Sequence, residues 1–231
     1  MPITVPDSSM SSPAAFIDHT LLKPETSLAQ INDLCEEAVE WGFAAVCVPP
    51  VFVPFCAERL YGSQIKLATV VGFPFGYTMS SVKGFEAEQA VAKGADEIDM
   101  VMALGAALAG DWKAVEKDIR SVVEAAAGVP VKLILECSAL SEQDKHKAAQ
   151  VALEAGVAFL KTSTGYGAHG ATVEDVQLLA RLARGRVAVK ASGGIRDLEV
   201  CQAMLAAGAS RIGTSSGVAI MQQWSARECG V

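Results

Sequence analysis

Two lysines close two apolar runs in this chain. Lys161 ends Phe159-Leu160-Lys161, and Lys190 ends Val187-Ala188-Val189-Lys190. Small polar residues and glycine follow each, as Thr162-Ser163-Thr164-Gly165 and Ala191-Ser192-Gly193-Gly194. An ammonium at the mouth of a buried strand is costly to desolvate unless its charge is used or lost. Two such groups about 6 Å apart, at an effective dielectric of about 20, repel by about 3 kcal/mol. That is worth about two pKa units, enough to bring one amine toward a working range. A neutral amine attacks carbonyl carbon, so the chemistry expected is imine formation. Asp99 lies in a comparable run, Glu97-Ile98-Asp99-Met100-Val101, and is the candidate acid–base group. Glu136, closing Val131-Lys132-Leu133-Ile134-Leu135-Glu136, competes for that role or holds one of the lysines in place.

A second signal concerns an anion. Gly193-Gly194 follows one strand run and exposes backbone N–H groups. Gly213-Thr214-Ser215-Ser216 follows the next run and opens the last helix. Amides, hydroxyls and a helix N-terminus together suit a phosphate.

These residues need a scaffold that gathers strand ends. Seven glycines, at 42, 62, 94, 128, 156, 185 and 208, recur about 28 residues apart. Each stands after a helical stretch and before a short β-rich run, as a left-handed helix end requires. The spacing is that of a βα unit. Strands are expected at 45–48, 67–71, 97–101, 131–136, 158–161, 187–190 and 211–214, with a first at 16–20. Helices are expected at 27–41, 50–61, 80–93, 112–126, 141–155, 172–183, 197–207 and from 215 onward, with Ser27, Ser141 and Thr172 as N-caps. Eight apolar strands alternating with helices imply parallel strands buried on both faces. The fold class expected is α/β, a single-domain (β/α)8 TIM barrel spanning 13–231, with a short flexible lead-in at 1–12. An open doubly wound sheet is the alternative, but no glycine-rich phosphate turn follows the first strand. In the barrel, sites lie at the C-terminal strand ends, and phosphate binds after strands seven and eight. Period-two alternation then sets Glu97 with Asp99, and Phe159 with Lys161, on one face.

Composition narrows the partners. The chain has 231 residues, 51% hydrophobic and 19% charged, with net charge −7 and a pI near 5.0. No basic stripe is present, so nucleic acid and anionic membrane surfaces are disfavoured. No apolar run has the length of a membrane span, and the N-terminus lacks the pattern of a signal peptide. Six scattered cysteines with no CxxC pair suit a reducing, cytoplasmic setting. No His, Cys, Asp and Glu grouping has metal-ligand spacing, so neither metal nor cofactor is expected. Asp18-His19-Thr20 lacks the serine elbow of a hydrolase triad, His146 lies in a polar helix, and His169 could rim the pocket from a glycine-rich loop.

Six segments in order carry a resemblance: Ile17-Asp18-His19-Thr20-Leu21-Leu22-Lys23-Pro24, Thr69-Val70-Val71-Gly72-Phe73-Pro74, Gly94-Ala95-Asp96-Glu97-Ile98-Asp99-Met100-Val101, Lys161-Thr162-Ser163-Thr164-Gly165, Val189-Lys190-Ala191-Ser192-Gly193-Gly194-Ile195-Arg196 and Arg211-Ile212-Gly213-Thr214-Ser215-Ser216. From about residue 14 to about 220 the chain resembles the deoxyribose-phosphate aldolase family. The resemblance implies a metal-independent class I aldolase interconverting 2-deoxy-D-ribose 5-phosphate with D-glyceraldehyde 3-phosphate and acetaldehyde. It implies Lys161 as the Schiff-base lysine, Lys190 as the lysine that perturbs it, and Asp99 as the acid of the proton relay. Gly165, Gly193, Gly194, Gly213, Ser215 and Ser216 match phosphate-contact positions. Asp18 and Thr20 match polar residues that support the substrate hydroxyl and the lysines. Dimerisation is implied in the same way. Three places depart from the family pattern: Pro49-Pro50, Cys137 after Glu136, and an end in Glu228-Cys229-Gly230-Val231 rather than tyrosine. Other readings kept open by the residues alone are a phosphosugar isomerase, a transaldolase and a catalytically inert sugar-phosphate binder.

Overall fold

The computed structural model describes residues 12–228, so the flexible lead-in expected at 1–12 lies, save Ser12, outside the described residues. Eight strands follow one another around a closed barrel, each parallel to both neighbours. They are β1 (Ile17–Thr20), β2 (Ala45–Val48), β3 (Lys66–Val71), β4 (Glu97–Val101), β5 (Val131–Ile134), β6 (Phe159–Lys161), β7 (Ala188–Ser192) and β8 (Arg211–Thr214). The helices outside are α1 (Leu28–Trp41), α2 (Val53–Arg59), α3 (Ser80–Ala92), α4 (Leu104–Leu108), α5 (Trp112–Ala125), α6 (Glu142–Ala155), α7 (Val173–Ala183), α8 (Leu198–Ala206) and α9 (Gly217–Glu228).

Local sequence explains most boundaries. Ser27 makes a full capping box with Gln30, while Ser141, Thr172 and Asp197 each accept the N–H three residues on. Such caps satisfy N–H groups that the helix leaves without a partner. Gly42 and Gly156 end α1 and α6 in the left-handed conformation. At α7 that conformation begins one residue early, at Arg184. The stretch expected as one helix at 50–61 splits in two. Pro50–Phe52 is a 3-10 turn, and α2 starts behind it with Pro54 in its first turn, where a missing N–H costs nothing. The strand expected to run to Glu136 stops at Ile134, because Glu136 adopts φ 56° and turns the chain into a 3-10 turn at Cys137–Ala139. Helix α4 was not expected. It is five residues of small and apolar side chains between β4 and α5.

The core fills the space between barrel and helices with Ile, Leu, Val, Met and Ala from every unit. One buried ion pair braces the loop after β3. Lys83 of α3 donates to Asp118 of α5 at 2.7 Å and to the Val101 carbonyl at 2.9 Å. Gly72 lies against it: a Cβ there would sit 2.7 Å from Lys83 Cε, and its φ is +61°. Only glycine meets both conditions.

Candidate active site

Register brings the flagged residues together. In the barrel Asp99 stands beside Lys132, and Lys161 beside Lys190. Lys161 Nζ donates to Asp99 Oδ2 at 2.8 Å, and Lys190 Nζ donates to the same oxygen at 2.7 Å. Lys190 also donates to Asp18 Oδ2. All four side chains are buried. Thr162 and Ser192 clasp β6 to β7 through Ser192 N–H to Thr162 Oγ1 (3.1 Å) and Ser192 Oγ to the Ser163 carbonyl (2.6 Å). That clasp sits one or two residues beyond the two lysines.

A cavity of about 530 Å³ opens at the C-terminal ends of the strands. Lys161 lines it. Lys190, Lys132 and Asp99 do not; they lie beneath. Of the lysines bonded to Asp99, Lys161 is therefore the one a substrate reaches.

Lys132 and Arg211, which the sequence reading passed over, complete the cluster together with Glu97. Lys132 donates to Asp99 Oδ1 at 2.7 Å and pairs with Glu97 Oε2 at 2.6 Å. Arg211 donates to Asp18 Oδ1 at 2.6 Å and to Glu97 Oε1 at 3.1 Å. Both cations lie over the Phe159 ring, at 5.7 and 5.6 Å from its centroid. Glu97 and Phe159 were placed on the same faces as Asp99 and Lys161, and these contacts bear that out. A signal for Lys132 existed: it is a lysine inside an apolar strand. It escaped notice because it does not end its run.

The electrostatics separate the two lysines that share Asp99 Oδ2. Burial presses Lys161 down, Asp99 pulls it back up, and Lys190 presses it down again; the outcome is below the usual lysine range. Burial also presses on Lys190, but Asp18 and Asp99 together overcome it and hold the ammonium above its ordinary value. Asp99 is pushed up by burial and drawn down further by Lys132, Lys161 and Lys190, ending well below the carboxylate range. Asp18 ends low as well, with Lys190 and then Arg211 outweighing its burial. The resting site thus holds Asp99 as an anion and Lys190 as a cation, and Lys161 is the amine readiest to lose its proton. Cys47, on β2 beside these groups, is a thiol pushed up to about 11, first by burial and then by Asp99.

Most of the candidate phosphate residues line the same cavity. Gly165, Gly193, Gly194, Gly213 and Ser215 line it. Ser216 does not, and its N–H is taken by Thr214 Oγ1 at 2.9 Å. Thr214 Oγ1 in turn donates to the Ile195 carbonyl, tying the two loops together. The glycine at 193 has a backbone reason: its φ is +85°, and a Cβ would meet Gly170 Cα at 3.0 Å. Gly213 is needed by Lys190, whose Cε would stand 3.0 Å from a Cβ there. Lys23 and Arg196 add cationic side chains to the cavity wall.

Other expectations fare differently. Thr20 lines the cavity, but its hydroxyl donates to the Asp18 carbonyl and accepts from no lysine. Glu136 holds neither lysine. It accepts from the Thr164 hydroxyl and, at 3.3 Å, from the Thr164 N–H, so it braces the loop after Lys161. The left-handed backbone at Glu136 swings its side chain to that loop. His19 points outward to Glu37, at 2.6 Å, and packs on Phe43. His169 sits on an exposed loop off the cavity wall. Among the described residues, no group of three or more His, Cys, Asp or Glu side chains is arranged to hold a metal.

A closed (β/α)8 barrel with paired amines around one carboxylate at its strand ends defines a class, the barrel enzymes that act on carbonyl carbon. Within that class the chain belongs to the DeoC/LacD family of aldolases, whose model matches residues 13–223. It is 52% identical over 215 residues to the deoxyribose-phosphate aldolase of Syntrophotalea carbinolica, covering 93% of this chain and 97% of that one. It is 50% identical over 208 residues to the deoxyribose-phosphate aldolase of Thermus thermophilus, covering 90% and 94%. Among solved structures, the tetrameric deoxyribose phosphate aldolase of Aeropyrum pernix superposes with a TM-score of 0.88 at 33% identity, covering 94% of this chain and 93% of that one.

Proposed function

We propose that this aldolase cleaves 2-deoxy-D-ribose 5-phosphate reversibly to D-glyceraldehyde 3-phosphate and acetaldehyde, through an imine on Lys161. One observation carries the reading: the amine that lines the cavity is also the one whose proton is held least firmly. Lys161 Nζ attacks C1 of the open-chain sugar, and the carbinolamine loses water to an iminium. Removal of the C3 hydroxyl proton then breaks the C2–C3 bond. Its electrons flow into the iminium, leaving a two-carbon enamine on Lys161 and releasing glyceraldehyde 3-phosphate. Protonation of the enamine carbon and hydrolysis release acetaldehyde and restore the amine. Asp99 is ionised in the resting site, so it begins the cycle as a base. The proton it needs to return is within reach on Lys190, 2.7 Å away on the same oxygen. The pair, rather than Asp99 alone, exchanges protons with substrate, directly or through one water.

Gly193, Gly194, Gly213 and Ser215, with the cationic Lys23 and Arg196 on the same cavity wall, support a site for the substrate phosphate. The test is cleavage of the phosphorylated and unphosphorylated sugars by wild type and by Ser215→Asp. Wild type is expected to release acetaldehyde from deoxyribose 5-phosphate. The variant places a carboxylate against the substrate anion, so its KM for that sugar should rise roughly tenfold or more. The unphosphorylated sugar should be harmed less. Equal losses on both would remove the phosphate site from Ser215, and no cleavage by wild type would remove the function.

A homodimer is the assembly we favour. Phe75, Tyr77, Met79, Phe85 and Leu108 are all exposed by more than half, on and beside α3 and α4, with Phe75 and Tyr77 stacked at 5.5 Å. Clustered exposed apolar side chains mark association surfaces. Light scattering on the purified chain should give twice the 24.1 kDa chain mass, and Phe85→Asp should return it to one. A monomeric wild type would end this reading.

A further inference from the structure

The buried charges around Asp99 close into a ring. Lys190 donates to Asp18. Asp18 pairs with Arg211 at 2.6 Å, Arg211 with Glu97 at 3.1 Å, and Glu97 with Lys132 at 2.6 Å. Lys132 pairs with Asp99 at 2.7 Å, and Asp99 returns to Lys190 at 2.7 Å. Cations and anions alternate, three of each, contributed by β1, β4, β5, β7 and β8. Lys161 lies outside the ring and hangs from Asp99 Oδ2 at 2.8 Å. The ring is neutral by itself. The cluster carries one surplus positive charge whenever Lys161 is protonated, and an uncompensated charge is costly in a buried place.

We propose that Lys132, Glu97 and Arg211 are positioning residues that set the protonation of Lys161: by completing a neutral ring, they make the Lys161 proton the one this site sheds. The proposal rests on the reading of Lys161 as the imine-forming amine. The geometry explains why the choice falls there. Lys190 touches two carboxylates, Asp18 and Asp99, and Lys132 touches two, Glu97 and Asp99. Lys161 touches one oxygen and shares it with Lys190. The ammonium with the least anionic company is the first to deprotonate. Stability alone is a poor reason for such a ring, since apolar residues of similar volume often serve a core as well or better.

Every other charged or titratable group facing Lys161 is accounted for. Cys47 approaches from β2 as a neutral thiol. β3 presents the uncharged Ala68 and Val70, packed with Cys47. Glu136, after β5, is engaged with Thr164. Lys23, Glu25, Tyr166 and Arg196 stand at the cavity wall, on the solvent side.

The test reads charge, not integrity. Lys161 attacks as the neutral amine, so imine formation rises with pH through its pKa. Lys132→Met removes a cation, so the Lys161 pKa rises and the acid limb moves to higher pH. Glu97→Gln removes an anion, so the limb moves to lower pH. Lys132 and Lys161 bind opposite oxygens of one carboxylate, roughly 5 Å apart, and the first shift is expected to be about two pH units. The second should be smaller, because Glu97 is farther away. The double variant Lys132→Met, Glu97→Gln keeps the charge balance and should bring the midpoint back toward that of wild type, leaving an upward shift smaller than that of Lys132→Met alone. Arg211→Gln, at a partly exposed side chain, covers the case in which Lys132→Met does not fold, and should also move the limb upward. The measurement is the pH profile of acetaldehyde trapping by borohydride on Lys161, followed by mass spectrometry. Opposite shifts for cation and anion variants, with partial recovery in the double variant, are the expected result. Profiles that fall in amplitude without moving, or that all move one way, would overturn the ring's role. Absence of trapping on Lys161 in wild type would instead overturn the functional reading.

Discussion

Replacing Lys161 with leucine is expected to abolish the borohydride-trapped acetaldehyde adduct and to lower turnover by roughly four or more orders of magnitude, the scale on which loss of a nucleophile is felt. Wild type treated the same way should gain one ethyl group, on the peptide that contains Lys161. The same variant should fold at least as well as wild type. Lys161→Leu removes a buried ammonium that has a share in only one carboxylate oxygen, and it leaves the neutral ring of six charges intact. Buried charges replaced by apolar groups of similar volume are commonly neutral or stabilising. Mass spectrometry after trapping, with a thermal melt of the same preparation, checks both halves. An adduct on Lys190 in active wild-type enzyme would move the nucleophile to the neighbouring strand. Retained turnover in Lys161→Leu would remove imine chemistry altogether.

Asp99→Asn should divide the two halves of the cycle. The variant still forms a trappable imine, because loss of the carboxylate lowers the hold on the Lys161 proton. Its turnover should fall by roughly two or more orders of magnitude, since the carboxylate that receives the C3 hydroxyl proton is gone. The fold should suffer here, in contrast with Lys161→Leu. Asp99 is the shared counter-ion of Lys132, Lys161 and Lys190. Removing one partner of a buried ion pair costs about 3–5 kcal/mol. Denaturant unfolding at pH 7 reads that loss. The sign with pH follows from the depressed folded-state pKa of Asp99. Its contribution to wild-type stability is full above the unfolded value, about 3.9, and is lost as pH falls through the folded value. The stability difference between wild type and variant should therefore be flat above about pH 5 and shrink in acid. Full turnover in Asp99→Asn would pass the proton to Lys190 or to water.

Much of this was legible along the chain because its causes are local. A glycine after each helix and an apolar run after each glycine are conditions of backbone geometry, met within a few residues. They implied eight strands, parallel pairing and a closed barrel. Barrel topology then pointed to the strand ends, and so to Lys161, Lys190 and Asp99, without any knowledge of contacts. The caps at Ser27 and Thr172 are equally local. Where the reading slipped, the local signal was weak: α4 is a short run of small residues, and the turn at Glu136 needs a conformation its residue type does not announce.

Only barrel closure decided which charges share the interior. A parallel strand buried on both faces carries no polar–apolar alternation, so nothing in Val131-Lys132-Leu133 says that Lys132 points inward. Arg211 and Glu97 open their strands, and although alternation sets Glu97 with Asp99, nothing along the chain joins it to Arg211. Closing β8 onto β1 brings Arg211 to Asp18, a pair 193 residues apart in sequence. The register of β4 on β5 then sets Lys132 against Asp99. Types and spacing along one strand determined that an amine and an acid were available; the stagger between strands decided that seven charges meet in one desolvated cluster and that Lys161, with one shared oxygen for company, is the amine left to react.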